Sequence, residues 1–347
     1  MKTEGEKVVT KRIRQSNMEL LRVISMLAVV MVHLNGAALS LPKPTGDVWA
    51  VTIRGWWILS VEAITIIGVN CFTLISGYFG IKVHTHGFIK FTLQCILYSV
   101  LIYLVSAIVP MLAGGDAKFS LIDFGKSWLV FSHTDLWYVP AYIGLYLLSP
   151  FLNAGVECLS KRQFQCVLVA FILFNVWCGW LWGGKSNQNG YTVIQLVMMY
   201  LTGRYIGKYS VINGSNRRRV RIWAFMAYIC ATAATAVLAV YVDSIHAFAY
   251  NSPLVLTSSV ALFVAFATLQ FQSRFVNWLA MSSFAVYLIH KNPFVWVHGV
   301  RPLSRYLWSH CQLAEYTAAF IATAVAIYLL SSLIDCLRRK LFSTLKL

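Results

Sequence analysis

Long apolar runs separated by short polar connections make up most of the chain between about residues 18 and 337. Each run is close to the roughly 20 residues that an α-helix needs to cross a bilayer. The connections are rich in Gly, Pro, Asn and Ser, which are typical of turns between helices. The pattern predicts an all-α, polytopic transmembrane helix bundle of about ten spans. The predicted spans are residues 18–40, 56–79, 88–112, 136–155, 163–182, 191–207, 221–242, 253–271, 275–297 and 313–337.

Composition supports insertion into a lipid bilayer and indicates an orientation. Hydrophobic residues make up 59% of the chain and charged residues only 12%, against roughly 25% charged residues in an ordinary soluble protein. Lys and Arg number 29 against 12 Asp and Glu, which gives a net charge of +17. The basic residues cluster in alternate connections, which is typical of the cytoplasmic side of a membrane protein rather than of a nucleic-acid-binding surface. We therefore expect both termini on the cytoplasmic side.

The pattern divides the chain into three segments. A basic cytoplasmic segment covers residues 1–17, a transmembrane domain covers residues 18–337, and a basic cytoplasmic tail covers residues 338–347. The eight cysteines lie mostly inside apolar runs and form no CxxC pair, so they favour neither a disulfide framework nor a metal site. We expect no bound metal and no nucleic-acid partner.

The first span carries two polar side chains at depth, Arg22 and His33. About three helical turns, or roughly 16 Å, separate them, so both side chains lie on one face of the helix. Glu19 is one turn before Arg22 and is placed to pair with it. Charged and ionisable groups inside a span are costly and are functional candidates for that reason.

Depth along the predicted spans sorts the polar residues into two layers. The outer layer comprises His33, Glu62 and His290, and the inner layer comprises Arg22, Arg204 and Ser76. Imidazoles and a carboxylate are the usual groups for proton transfer, and the carboxylate is placed to hold a histidine tautomer. Arginines suit the phosphate groups of a cytoplasmic donor.

Each of these signals also has a structural explanation. Arg22 can extend its charge to the membrane surface, and His33 can be a packing residue. Glu62 can belong to a structural ion pair with Lys291. Arg217 and Arg218 belong to a basic run that fits either donor phosphates or the fixing of membrane topology.

Five short stretches carry a familiar pattern in order along the chain. They are residues 17–33, with Arg22 and His33; 70–78, NCFTLISGY; 136–150, which opens with LWY; 200–207, YLTGRYIG; and 283–290, SFAVYLIH. Together they resemble the signatures of the acyltransferase-3 family, whose first helix carries an arginine and a histidine at this spacing. The resemblance extends from about residue 17 to 297 and covers most of the chain.

The resemblance implies a membrane O-acyltransferase of the bacterial cytoplasmic membrane. Such an enzyme moves an acetyl or other short acyl group from cytoplasmic acyl-CoA, commonly acetyl-CoA, to a hydroxyl of a surface glycan or its lipid-linked precursor. It implies His33 as the essential catalytic residue and Arg22 as its partner. The candidate catalytic residues are His33, Arg22, Glu62 and His290. The candidate donor-binding residues are Arg22, Ser76, Lys82, Arg204, Arg217 and Arg218, and the candidate acceptor-binding residues are Trp137, Tyr138 and Tyr142.

One part of the chain departs from the family pattern. Many members have an R-x-x-R sequence after the second helix, whereas the corresponding region here contains Lys82 and Lys90 without that sequence. These two lysines, or the arginine run after residue 216, are the substitutes that the chain offers for donor binding.

Two other functions fit part of the pattern. A transporter or flippase of a lipid-linked glycan explains the helices and the buried polar groups but not the five ordered stretches, and the sequence shows no inverted repeat. A non-catalytic receptor or scaffold also fits the helices. The sequence leaves open the acceptor sugar, the oligomeric state, and whether His33 deprotonates the acceptor or carries the acyl group itself.

Overall fold

A computed structural model describes residues 14–112, 119–131, 136–182, 187–209 and 216–345. Within those ranges the chain forms helices joined by turns and has no strand, which confirms the predicted all-α class. The helices are α1 (Ser16–Val32), α2 (Ile53–Thr65), α3 (Gly68–Phe79), α4 (Thr85–Leu112), α5 (Leu121–Trp128), α6 (Tyr138–Cys158), α7 (Lys161–Phe174), α8 (Val193–Lys208), α9 (Arg217–Tyr241), α10 (Ser244–Ala247), α11 (Pro253–Ala267), α12 (Arg274–Ala280), α13 (Ser283–His290), α14 (Pro293–Val295), α15 (Arg301–His310) and α16 (Leu313–Thr344).

Seven segments of the described chain are long and apolar enough to cross a membrane. Six of them contain α1, α4, α6, α7, α9 and α16, and the seventh consists of α2 and α3 together. The polytopic helix bundle is therefore confirmed, while the count of ten and the side of the termini stay predictions. The other three predicted spans correspond to the shorter helices α8, α11 and the pair α12–α13.

The predicted span at 275–297 is broken, so the expectation of one continuous helix there is wrong. α12 ends at Ala280 and α13 begins at Ser283. In the turn between them, Ser282 Oγ donates to Asp335 Oδ2 of α16 at 2.9 Å. α16 is longer than its predicted span of 313–337, because it continues to Thr344. The predicted boundary of the tail at residue 338 therefore falls inside a helix.

Three glycines bring α3 and α8 together backbone against backbone. A Cβ atom on Gly77 would overlap the backbone of Tyr200, and one on Gly203 would overlap the backbone of Leu74. Gly207 continues this contact one turn later. Small residues allow membrane helices to approach this closely, and van der Waals packing then holds them together. We call Gly77, Gly203 and Gly207 the α3–α8 seam.

α1 packs against α2, α3, α11, α12, α13 and α16 and so lies in the middle of the bundle. Its first residue, Ser16, donates to Asn277 Oδ1 at 2.9 Å and accepts from Ser273 N at 2.9 Å. Asn17 Nδ2 donates to the carbonyl oxygen of Phe266 at 3.0 Å. These bonds fix the start of α1 against α11, α12 and the connection between them, and they restrict its rotation about its own axis.

Candidate active site

A cavity of about 900 Å³ lies between α1, α3, α4, α6, α13 and α16. Its volume is near the upper end of the roughly 300–1,000 Å³ that is typical of small-molecule sites. Arg22 and His33 both line this cavity, in agreement with their predicted common face. The rise of an α-helix places them roughly 16 Å apart along α1. The cavity is therefore long enough to hold different chemical groups at its two ends.

His33 and His290 form a hydrogen-bonded pair at one end of the cavity. Nδ1 of His33 lies 2.8 Å from Nε2 of His290. Nδ1 of His290 lies 2.6 Å from the carbonyl oxygen of Val286, one turn earlier in α13. His290 is only 1% exposed, whereas His33 lines the cavity. The sequence places both histidines at one depth, and the structure brings them into contact across 257 positions.

The hydrogen bonds of this pair determine the tautomer of both rings when the two imidazoles are neutral. The carbonyl oxygen of Val286 can only accept, so His290 Nδ1 must carry the proton. His290 Nε2 then accepts, and His33 Nδ1 donates to it. The remaining nitrogen of the cavity-lining ring, His33 Nε2, is left unprotonated. The hydrogen-bond network thus assigns both tautomers. It gives the cavity a proton acceptor.

A π-helical turn over His33–Ala37 follows α1 and begins at the histidine itself. Such turns are often found at functional sites, because they redirect side chains and free backbone groups. Glu62 of α2 stabilises this turn: its Oε2 accepts from Asn35 Nδ2 at 2.7 Å and from Gly36 N at 3.2 Å. The sequence suggests Glu62 as the group that holds a histidine tautomer. In the structure Glu62 bonds to the π-helical turn instead, and His290 bonds to the His33 ring.

Basic side chains line the cavity at the end away from the histidine pair. We call this group the arginine end; it consists of Arg14, Arg22, Lys90, Arg338 and Arg339. Two carboxylates outside the lining pair with four of them. Glu19 lies 2.7 Å from Arg22 and 3.9 Å from Arg14, and Asp335 pairs with Arg338 and Arg339. The arginine end therefore carries an excess of positive charge.

Only part of the predicted donor-binding set reaches the cavity. Arg22 and Ser76 line it, as does Lys90, which is one of the substitutes for the missing R-x-x-R sequence. Within the described chain, the cavity lining does not include the remaining candidates, which are Lys82, Arg204, Arg217 and Arg218. Arg204 instead donates from Nη2 to Glu157 Oε1 at 3.0 Å.

Aromatic side chains form one wall of the cavity. Trp137, Tyr138 and Tyr142, the predicted acceptor-binding residues, all line it. Tyr138 stacks on Tyr142 with 5.7 Å between ring centroids and packs edge-on against Tyr287 at 6.0 Å. The Tyr287 ring lies 6.3 Å from that of His290. An aromatic surface therefore extends from α6 to the histidine pair.

The family model for the acyltransferase-3 domain, described as an acyltransferase domain, matches residues 15–335 of this chain. The chain belongs to the acyltransferase-3 family. The match covers α1 through most of α16, and therefore nearly all the helices that line the cavity. No curated protein and no solved structure matches the chain at a significant level.

As a member of the acyltransferase-3 family, the chain is a membrane acyltransferase. Of its five family-like stretches, those at 17–33 and 283–290 meet at the His33–His290 pair. The stretch at 200–207 instead carries Gly203 and Gly207 of the α3–α8 seam. The shared pattern thus combines residues of the candidate site with residues that pack helices.

The structure brings to the cavity several residues that the sequence did not indicate. Tyr250 lines the cavity beside Trp137, with 5.7 Å between their ring centroids, although it lies in a connection between helices. The sequence pattern predicts Arg338 and Arg339 as part of the tail, whereas both line the cavity. The signal that could have located them is Asp335, a carboxylate one turn earlier that indicates a partner within the same helix.

Proposed function

We propose that this acyltransferase moves an acetyl or other short acyl group from acyl-CoA to a hydroxyl of a surface glycan or of its lipid-linked precursor. The acyl donor enters from the cytoplasm at the arginine end, and its thioester reaches His33. The enzyme is a multi-pass protein of the bacterial cytoplasmic membrane.

The observation that carries this proposal is the His33–His290 hydrogen bond at one end of a cavity whose other end is cationic, because in neutral rings this bond leaves His33 Nε2 as a proton acceptor. A neutral imidazole accepts a proton from a hydroxyl near neutral pH. Guanidinium groups bind phosphates, which acyl-CoA carries at the end away from its thioester. The separation of roughly 16 Å along α1 matches a donor whose phosphates and reactive carbon are far apart.

The reaction proceeds with His33 as general base and then as general acid. The acceptor hydroxyl gives its proton to His33 Nε2 while its oxygen bonds to the thioester carbonyl carbon. Collapse of the tetrahedral intermediate breaks the carbon–sulfur bond, and the proton on Nε2 passes to the CoA thiolate. The products are an acyl ester and free CoA. His290 accepts from His33 Nδ1 throughout, so it holds the ring and stabilises the transient imidazolium.

The aromatic wall supports a sugar acceptor. Trp137 and Tyr250 line the cavity with their rings 5.7 Å apart. Flat apolar rings with a polar edge suit the apolar face and the hydroxyls of a pyranose. Tyr138 and Tyr142 extend this surface along α6. We assign the acceptor to this wall, beside His33.

The test is comparative mass spectrometry of surface glycans from cells that lack the gene and are complemented with defined variants. The wild-type chain should restore an acetyl-sized mass increment. His33→Gln should reduce the acetylated fraction by at least about a hundredfold, the typical contribution of a positioned general base. His310→Gln is the matched control, because His310 is exposed and stacks on Tyr306 outside the cavity lining.

Retention of wild-type acetylation by His33→Gln would contradict the catalytic assignment. A wild-type chain that moves glycan across the membrane and leaves it unacetylated would instead favour the flippase. Recovery of an acyl group bound to His33 from denatured enzyme after a brief exposure to labelled acetyl-CoA would replace direct transfer by a covalent intermediate.

A further inference from the structure

The last two turns of α16, which the sequence predicts as a basic tail, form part of the cavity wall. Arg338 and Arg339 line the cavity, while Lys340 on the same helix is exposed and does not. Arg338 is only 8% exposed. Its guanidinium lies 5.0 Å from the centre of the Phe342 ring, which also lines the cavity. These arginines are therefore part of the folded bundle.

Asp335 holds the two arginines in place. Its Oδ1 accepts from Arg338 Nε at 2.6 Å and from Tyr98 OH at 2.7 Å. Its Oδ2 accepts from Ser282 Oγ at 2.9 Å and lies 3.4 Å from Arg339 Nε. Asp335 is fully buried, and its four partners come from α4, the α12–α13 turn and α16. The carboxylate thus holds Arg338 by a hydrogen bond and Arg339 by a longer ion pair.

This arrangement leaves positive charge that an anionic ligand can neutralise. One carboxylate serves two guanidinium groups, so one positive charge is not balanced within the cluster. Each arginine contacts Asp335 through Nε, at 2.6 Å for Arg338 and at 3.4 Å for Arg339. Burying an unbalanced cation is expensive unless a partner arrives. Arg22, Arg14 and Lys90 add positive charge at the same end of the cavity.

We propose that Arg338 and Arg339, held by Asp335, form the binding site for the phosphate groups of the acyl donor, together with Arg22. This site deepens the proposed function and rests on it. Guanidinium groups bind phosphate oxygens with two parallel hydrogen bonds, and they do so best when their geometry is fixed in advance. CoA offers a diphosphate and a 3′-phosphate to such a site. The site replaces the R-x-x-R sequence that this chain does not have after its second helix.

A phosphate of a lipid headgroup has the same chemistry, but the cavity favours CoA. The arginines and His33 line one continuous space, so a ligand bound at the phosphates extends toward the histidine pair. A lipid headgroup held at this end would place its acyl chains in the space required for the thioester arm.

The experiment measures CoA binding to the purified full-length protein in detergent by titration calorimetry. Arg338→Gln and Arg339→Gln should each weaken CoA binding by about tenfold, as expected for the loss of a charge-assisted contact. Lys340→Gln, which removes the same charge two residues away, should stay within about twofold of wild type. Pantetheine lacks the phosphates of CoA, so its affinity should be the same for the wild type and for all of these variants.

Equal CoA affinity in the two arginine variants and in Lys340→Gln would overturn the phosphate site while leaving the proposed function intact. A wild-type protein that neither binds CoA nor acetylates glycan would remove the proposed function itself. Competition of phosphatidylglycerol with CoA in nanodiscs tests the lipid. Competition that disappears in Arg338→Gln, without any loss of CoA affinity, would assign the arginines to a headgroup and overturn the proposal.

Asp335→Asn tests whether Asp335 positions the two arginines, because this role and a simple charge effect predict opposite changes in CoA affinity. Removal of a negative charge beside two arginines should strengthen anion binding if only the net charge matters. We expect weaker CoA binding, because the amide no longer fixes both guanidinium groups. Tighter binding in a variant whose thermal stability is unchanged would overturn the role of Asp335.

Discussion

α3 borders two regions of the molecule that are built in opposite ways. Toward α8 it presents Gly77, which meets the backbone of Tyr200 in the α3–α8 seam. Toward α1 and α4 the preceding residue, Ser76, lines a cavity of about 900 Å³. The seam has no room for one added carbon atom, whereas the cavity has room for a substrate.

The difference teaches that one short family-like stretch can serve both packing and chemistry. Gly77 brings two helices together, and its neighbour Ser76 borders the candidate site. The two tasks are related, since a reactive site needs walls held to within about half an ångström. We expect changes in the seam to affect the folded state and changes at the cavity to affect activity at constant stability.

The largest expected effect is in the seam. Gly77→Ala places a Cβ against backbone atoms of Tyr200, and these cannot move aside as the end of a flexible side chain could. α3 and α8 must separate, and we expect a loss of about 3 kcal/mol of stability, at the upper end for overpacking. Thermal unfolding of the purified protein in detergent measures this loss. Gly155→Ala in α6, where nothing lies within 4 Å, should leave the unfolding temperature unchanged or slightly higher. Equal stability of the two variants would contradict the tight seam.

The next effect is at the histidine pair. His290→Leu removes the acceptor for His33 Nδ1–H, so the His33 ring loses its fixed tautomer. We expect kcat for acyl transfer to fall about a hundredfold, with the KM for acetyl-CoA unchanged. His290→Gln keeps an oxygen that accepts from His33 and an amide that donates to Val286, so it should recover part of the rate. Steady-state kinetics in membrane vesicles separate kcat from KM. A purely structural role would lower stability in both variants and restore no rate with glutamine.

Glu62 provides a smaller effect with a distinct pattern. Its Oε2 accepts from Asn35 and Gly36 of the π-helical turn, and glutamine retains an oxygen that can do the same. We expect Glu62→Gln to lower the transfer rate by less than about threefold and Glu62→Ala to lower it about tenfold, the equivalent of one or two lost hydrogen bonds. If Glu62 transfers a proton, the two variants should be equally inactive. The ratio of their rates therefore distinguishes positioning of the turn from proton transfer.

The fold could be predicted from sequence as far as apolar length determines helices. The break before Ser283 could not, because it is stabilised by the bond from Ser282 to Asp335, 53 positions away. The polarity of Arg338 and Arg339 ended the predicted span at 337, although their ion pairs with Asp335 keep them in the helix. Hydropathy does not register such pairing.

The candidate site was predictable in its depth but not in its contacts. Helical rise placed His33 and His290 in one layer, yet only tertiary packing of α1 against α13 puts their rings together. Depth alone also placed Arg204 in the donor layer. Its partner, Glu157, holds it outside the cavity lining, and no spacing along the chain reveals a pair 47 positions apart.

The smallest expected effect concerns the arginine run that the sequence offered for donor binding. Arg217 and Arg218 begin α9, which packs on α2, α10 and α11, and neither arginine lines the cavity. The double change Arg217→Gln and Arg218→Gln should therefore leave the KM for acetyl-CoA within about twofold of wild type, as expected for charges away from the ligand. The same assay should show a clear increase for Arg338→Gln. A larger increase in KM for the α9 variant than for Arg338→Gln would assign the donor phosphates to a site outside the cavity. The contrast between the closed α3–α8 seam and the open cavity would then no longer identify where the donor binds.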